Sequence, residues 1–159
     1  MSLSTISSIL SFYFFKLNSE SFIIFTNWIN SGSFSVDWAI QLNLLSASMI
    51  LMVNFVSTLI HIYSVNKKKK DPKISVFMGY LGLFTFFMLL LVSSNNLLQL
   101  FLGWEGVGLT SYLLIGFWNY KDSANSAAIK AFVVNRVGDF GLLMALFTIF
   151  FKKSNSISV

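Results

Sequence analysis

Four charged side chains fall inside long apolar stretches of the sequence: Glu105, Lys130, Arg136 and Asp139. A charge at the centre of a membrane-spanning helix costs roughly 2.5–3.5 kcal/mol on insertion scales, so such residues normally face a protein interior or water and mark function. Glu105 stands near the middle of its stretch and is flanked by Gly103, Gly106 and Gly108. Those glycines let a neighbouring backbone approach closely and leave room for water beside the carboxyl. Apolar surroundings favour a protonated carboxyl, whereas a nearby lysine or arginine favours the ionised one. A carboxyl held between these influences takes and releases a proton as its partner moves. The bland alternative is a carboxyl that merely ties two helices together. Arg136 and Asp139 are three residues apart, on one helix face and able to pair. A structural salt bridge and a part in proton movement both stay open for them. Lys130, six residues before Arg136, is expected broadly on the same side, giving a polar stripe that runs towards the bundle interior. Gly138 and Gly141 permit tight packing at the same level.

The background against which these charges stand is lipid-like. The 159 residues are 55% hydrophobic, 17% aromatic and only 11% charged, against about 25% charged in soluble domains. A chain of this size has no aqueous core large enough to hide so much Phe, Leu and Ile. The net charge of +5 is concentrated in one run, Lys67 to Lys70, joined closely by Lys73. That run separates two apolar stretches, where a positive-inside loop belongs, and it lacks the aromatic interleaving of a nucleic-acid patch. With no cysteine and one histidine, the chain holds neither disulfides nor iron–sulfur ligands nor a metal-ligating cluster. The start of the chain has no basic leader and no small-residue cleavage site, so no cleavable signal is expected. Heavy use of Phe, Ile, Asn, Ser and Lys points to an AT-rich genome such as an organelle's.

These features predict an all-α integral membrane helix bundle with a small surface β-hairpin and four to five transmembrane helices. Residues 1–20 form a short N-terminal membrane helix, 21–43 the hairpin, 44–151 a four-helix transmembrane bundle and 152–159 a polar tail. The first apolar segment, residues 3–17, is too short to span without thinning the bilayer. Phe34, Val36, Trp38, Ile40 and Leu42 alternate with Ser35, Asp37, Ala39 and Gln41, the period-two pattern of a strand. Asn30-Ser31-Gly32 supplies turn chemistry between this strand and the preceding run Phe22 to Trp28. Open strands leave backbone groups unpaired in lipid, which places the hairpin at the membrane surface.

The remaining spans are expected at 44–63, 74–92, 97–118 and 124–151. His61 near the end of the first of them reads as an interfacial histidine. Asp71-Pro72 starts the next helix, and Ser93-Ser94-Asn95-Asn96 makes a polar turn. Ser123 or Asn125 is expected to cap the last helix, which should end at Lys152-Lys153. With alternating spans, the lysine-rich loop and the Lys121 loop share one side, the inside. The hairpin and the Asn95 turn then lie outside, together with Lys152 and Lys153, a mild exception to the rule.

The stretch from Asn95 to Gly108, with Gly103-Trp104-Glu105-Gly106-Val107-Gly108 at its end, is followed by Ser111-Tyr112-Leu113-Leu114-Ile115-Gly116-Phe117-Trp118. Next come Ala124 to Lys130 and the run Val133-Val134-Asn135-Arg136-Val137-Gly138-Asp139-Phe140-Gly141. Together they closely resemble the subunit 5 family of respiratory complex I, the proton-pumping NADH:ubiquinone oxidoreductase. Ser35 to Trp38, Asp71-Pro72 and Leu81 to Val92 fit the preceding family elements. The resemblance implies an antiporter-like fold and a proton channel in the membrane arm, with Glu105 on the family's essential glutamate. Arg136 and Asp139 fall on its charged pair in the following helix, and Lys130 is a further supporting polar residue. Redox chemistry, FMN, iron–sulfur clusters and quinone binding then belong to other subunits, with no cofactor or metal on this chain.

Family members are far longer and supply a lysine on a broken helix that pairs with the glutamate. The expectation is therefore an N-terminal piece of a split subunit in the mitochondrial inner membrane, inactive alone. Its expected partners are a second chain that completes the subunit, a neighbouring antiporter-like subunit, other complex I subunits and membrane lipids, with no nucleic acid. One alternative is a related cation/proton antiporter subunit that shares the glutamate helix. The other is a structural remnant, in which Glu105 has no basic partner within about 6 Å.

Overall fold

The computed structural model describes residues 2–17, 21–31, 34–68 and 72–157. In chain order they form α1 (Ser2–Leu17), β1 (Ser21–Ser31), β2 (Phe34–Leu42), α2 (Leu44–Lys68), α3 (Ile74–Val92), α4 (Leu97–Ile115) and α5 (Asp122–Ile157). Four of these helices, α2 to α5, are long and apolar enough to cross a membrane, and the chain is a multi-pass membrane protein. At 1.5 Å per residue, α1 rises only about 24 Å, short of a hydrocarbon core of about 30 Å. Successive helices pack side by side, α1 on α2, α2 on α3, α3 on α4 and α4 on α5. Their outer faces carry exposed Leu, Ile, Val and Phe, for example Met52, Phe86, Leu109 and Val134. This suits a lipid environment, where apolar side chains gain nothing by hiding.

The hairpin pairs β1 with β2 antiparallel, from Ser21 opposite Leu42 to Ser31 opposite Phe34. Two register shifts, between Ile24 and Thr26 and between Asn27 and Ile29, put one extra residue on β1 each time and bend the ribbon. Asn30 and Ser31, expected in the turn, are instead paired with Ser35 and Phe34. The connection comes down to residues 32 and 33, which lie outside the described residues.

The hairpin is fastened to one end of the bundle. The Gln41 backbone N–H donates to the Ser93 carbonyl at 3.0 Å, and Ile40 bridges Ser94. The Asn96 side-chain amide donates to the Asp37 carbonyl at 2.6 Å, and Ala39 is fully enclosed. The same strand end starts α2 through a reciprocal cap: the Ser46 N–H donates to Asn43 Oδ1 at 2.7 Å and the Asn43 N–H donates to Ser46 Oγ at 2.8 Å. This is the capping-box arrangement, with serine in the place of the usual longer side chain. At the opposite end the rings of Phe77 and Phe117 meet edge-on at 5.1 Å, tying the start of α3 to the loop after α4. The hairpin therefore shares a face with the turn after α3, and Lys73 shares the other with the α4–α5 loop. This is the alternation expected from the loop charges.

Four helix boundaries differ from expectation, the first at α2, which runs past residue 63 to Lys68 and so takes in the start of the lysine run. Helix α4 ends at Ile115 with Gly116 as its cap, and Phe117 and Trp118 belong to the loop. Helix α5 begins at Asp122, so Ser123 and Asn125 lie within its first turn and neither is the cap. The Lys121 carbonyl accepts the first helical bond, from the Asn125 N–H at 3.1 Å, and Asp122 sets a negative charge against the positive helix end. The segment from Ser154 to Ile157, expected as part of a polar tail, continues α5. Polarity there ends the apolar stripe but does not interrupt backbone hydrogen bonding.

Candidate functional site

Helix α4 is seated from two sides by its glycines. A β-carbon on Gly103 would fall 2.9 Å from the Leu91 Cα of α3, and one on Gly106 would collide with the Phe87 ring of the same helix. On the other flank, a β-carbon on Gly108 would overlap the Asn135 side-chain amide of α5. Close approach of this kind needs glycine. Thr110, fully buried, folds its hydroxyl back to the Gly106 carbonyl at 2.8 Å and exposes no polar group to its neighbours.

Between these contacts Glu105 projects towards α5. It lies eight residues after the start of α4 and ten before its end, so about 12–15 Å of helix separates it from either face. The Arg136 guanidinium of α5 donates to Glu105 Oε1 through Nη1. The same nitrogen lies 3.7 Å from Asp139 Oδ2, and the guanidinium also stands over the Phe132 ring, 5.9 Å from its centre. Phe132 in turn tilts against Tyr112 of α4 with ring centres 5.3 Å apart.

The three charges differ in setting. Within this chain the Glu105 and Arg136 side chains are 44% and 58% exposed, whereas that of Asp139 is 8% exposed. Asp139 Oδ1 is buried and has no hydrogen-bond partner among the described residues. Two carboxylates share one guanidinium, and arginine keeps its charge in proteins. When both acids are ionised the group carries one surplus negative charge, which a single proton on either carboxyl neutralises.

The sequence residues are thus brought together in part. Arg136 pairs across the helices with Glu105 as well as along its own helix with Asp139. Lys130 stays apart and makes no hydrogen bond or ion pair among the described residues. At about 100° per residue, six positions turn it about 120° from Arg136, so the expected common side is corrected. Gly138 and Gly141 have nothing within 4 Å of an added β-carbon, so in this chain no neighbour packs on them. His61 bonds within its own helix, Nδ1 donating to the Ser57 carbonyl at 2.7 Å. Sequence reasoning missed Phe132, Tyr112 and Asn135. Helical spacing held the signal for two of them, since Phe132 is four residues before Arg136 and Tyr112 seven after Glu105. It also missed Gln99, 1% exposed with an unpartnered side-chain oxygen. Among the described residues no three metal-ligating side chains gather.

Residues 28–78 match the family described as NADH-ubiquinone oxidoreductase (complex I), chain 5 N-terminus. Residues 94–159 match the NADH:quinone oxidoreductase/Mrp antiporter transmembrane family. The chain belongs to the complex I chain 5 family. It is 50% identical over 148 residues to NADH-ubiquinone oxidoreductase chain 5 of Chondrus crispus, which covers 92% of this chain and 22% of that protein. Against NADH-quinone oxidoreductase subunit L of Rickettsia bellii it is 50% identical over 152 residues, 95% of this chain and 24% of the relative. Chain 5 of Triticum aestivum is 48% identical over 151 residues, 94% and 22% of the two lengths. The chain therefore spans less than a quarter of the length of these relatives. Of the two matched stretches, the first takes in the end of β1, β2, α2 and the start of α3, and the second contains Glu105, Arg136, Asp139 and Lys130.

Proposed function

We propose that this chain is a membrane-arm segment of mitochondrial complex I that contributes to proton translocation coupled to electron transfer from NADH to ubiquinone. The observation that carries this reading is the mid-membrane Glu105 carboxylate, paired across two helices with Arg136 and coupled through it to Asp139. Glu105 takes up the proton, Arg136 sets when it is held, and Asp139 competes for the same guanidinium. A shift of Arg136 towards Asp139 leaves Glu105 without its counter-charge and favours protonation, and the reverse shift releases the proton. Lys130 has a supporting place six residues before Arg136 on α5. FMN, iron–sulfur clusters and the quinone site are assigned to other subunits, so this chain translocates nothing alone. Its partners are other complex I subunits in the mitochondrial inner membrane. They include a neighbouring antiporter-like subunit.

Glu105→Gln is expected to suppress proton pumping by the assembled complex while leaving assembly and NADH oxidation in place. Pumping at the unmodified rate in that variant overturns the assignment. A second reading, a subunit of a cation/proton antiporter, draws on the antiporter half of the description matched by residues 94–159. Purification of the intact assembly separates the two: an NADH-oxidising arm accompanies the chain only in the first case.

A further inference from the structure

At the end of the bundle remote from the hairpin, the start of α3, the end of α4 and the start of α5 enclose a cavity of about 280 Å³. Its polar lining consists of Lys73, Tyr80, Tyr112, Asn119 and Asn125. The side chains of these five make no hydrogen bond or ion pair among the described residues, although each carries at least one donor. The apolar part of the wall is Val76, Leu113 and Phe117. Lys73, Asn119 and Asn125 lie at the helix ends and in the loop, Tyr80 and Tyr112 lie further into α3 and α4, and Val76, Leu113 and Phe117 stand among them, so one wall offers both hydrogen-bond donors and methylene contacts. Both α3 and α5 begin here, so two positive helix ends share the cavity's face.

The surroundings are basic. Among residues with described side chains, Lys67, Lys73 and Lys121 belong to this face, against Asp122, which leaves an excess of two positive charges. Basic pockets between transmembrane helices on the positive-inside face suit anionic lipid headgroups, and tyrosines are favoured at that depth. We propose that this cavity seats the phosphodiester headgroup of an anionic phospholipid. Lys73 supplies the counter-charge, and Tyr80, Asn119 and Asn125 donate hydrogen bonds to the phosphate and its substituent. Val76, Leu113 and Phe117 receive the first methylenes of an acyl chain. This assignment is independent of proton movement at Glu105.

The test uses the full chain in a neutral detergent, with bound lipid counted by native mass spectrometry during titration with phosphatidylglycerol or phosphatidylcholine. Phosphatidylglycerol should be retained at least about fivefold more tightly, the value of one lysine near a lipid surface, and Lys73→Gln should remove that preference. Val76→Trp fills the cavity at an exposed helix position without changing charge and should weaken phosphatidylglycerol by a similar factor. Circular dichroism shows whether each variant keeps its helices. Equal retention of the two lipids, or undiminished binding in helical Val76→Trp, overturns the proposal, the latter because a diffuse basic surface ignores cavity shape. Displacement of the lipid by millimolar inorganic phosphate also overturns it and assigns the cavity to a free anion.

Discussion

Helices α4 and α5 both carry charge and glycine at mid-membrane depth, yet they use them differently. In α4 the three glycines are all in contact, Gly103 and Gly106 against α3 and Gly108 against α5. Glu105 is consequently held on a helix whose position is set from both flanks. In α5 the glycines beside Arg136 and Asp139 face open space, and Val134, Val137 and Phe140 around them are exposed. A glycine near a charge at mid-membrane depth is therefore not one signal but two. On α4 it brings a neighbour close, while on α5 it leaves a surface on which another element can approach.

The largest expected effect tests the α4 side of this contrast. Gly103→Ala sets its β-carbon against the α3 backbone at Leu91, which cannot swing aside as a side chain would. Overpacking of this kind costs about 1–3 kcal/mol, and thermal unfolding in detergent should register it. Unchanged unfolding would mean that α3 and α4 are less firmly seated than their geometry indicates. The α5 counterpart, Gly138→Ala, should be neutral or stabilise the isolated chain by up to about 1 kcal/mol, because alanine is the better helix former and meets no neighbour. In the assembled complex the same change should lower stability if another element covers that face, so measurement in both settings sharpens the comparison. The smallest effect is expected at Lys130→Gln. Since Lys130 stands outside the Glu105–Arg136–Asp139 group, pumping should fall far less than with Glu105→Gln, and an equal loss would place Lys130 on the proton route.

Much of this organisation was legible in the residues. The hairpin declared itself by strict alternation from Phe34 to Leu42, and the spans by uninterrupted apolar runs. Glu105 and its glycines stood out because charge is costly in lipid. The errors came where local signals compete. Asn30 and Ser31 are turn formers that cross-strand pairing drew into the ladder, and Ser123 and Asn125 are good caps that lost to Lys121 because the helix began earlier.

What sequence by itself determined, then, was which residues are anomalous and how deep in the membrane they stand. Depth follows from counting residues along a helix, a property of one segment at a time. Only the tertiary structure decided that Arg136 reaches Glu105, that Asp139 is enclosed while Lys130 is not, and that α4 rather than α5 is packed along its glycines. Those outcomes depend on how neighbouring helices are rotated about their axes. Rotation is settled by contacts between segments far apart in the chain, here 31 residues for the ion pair.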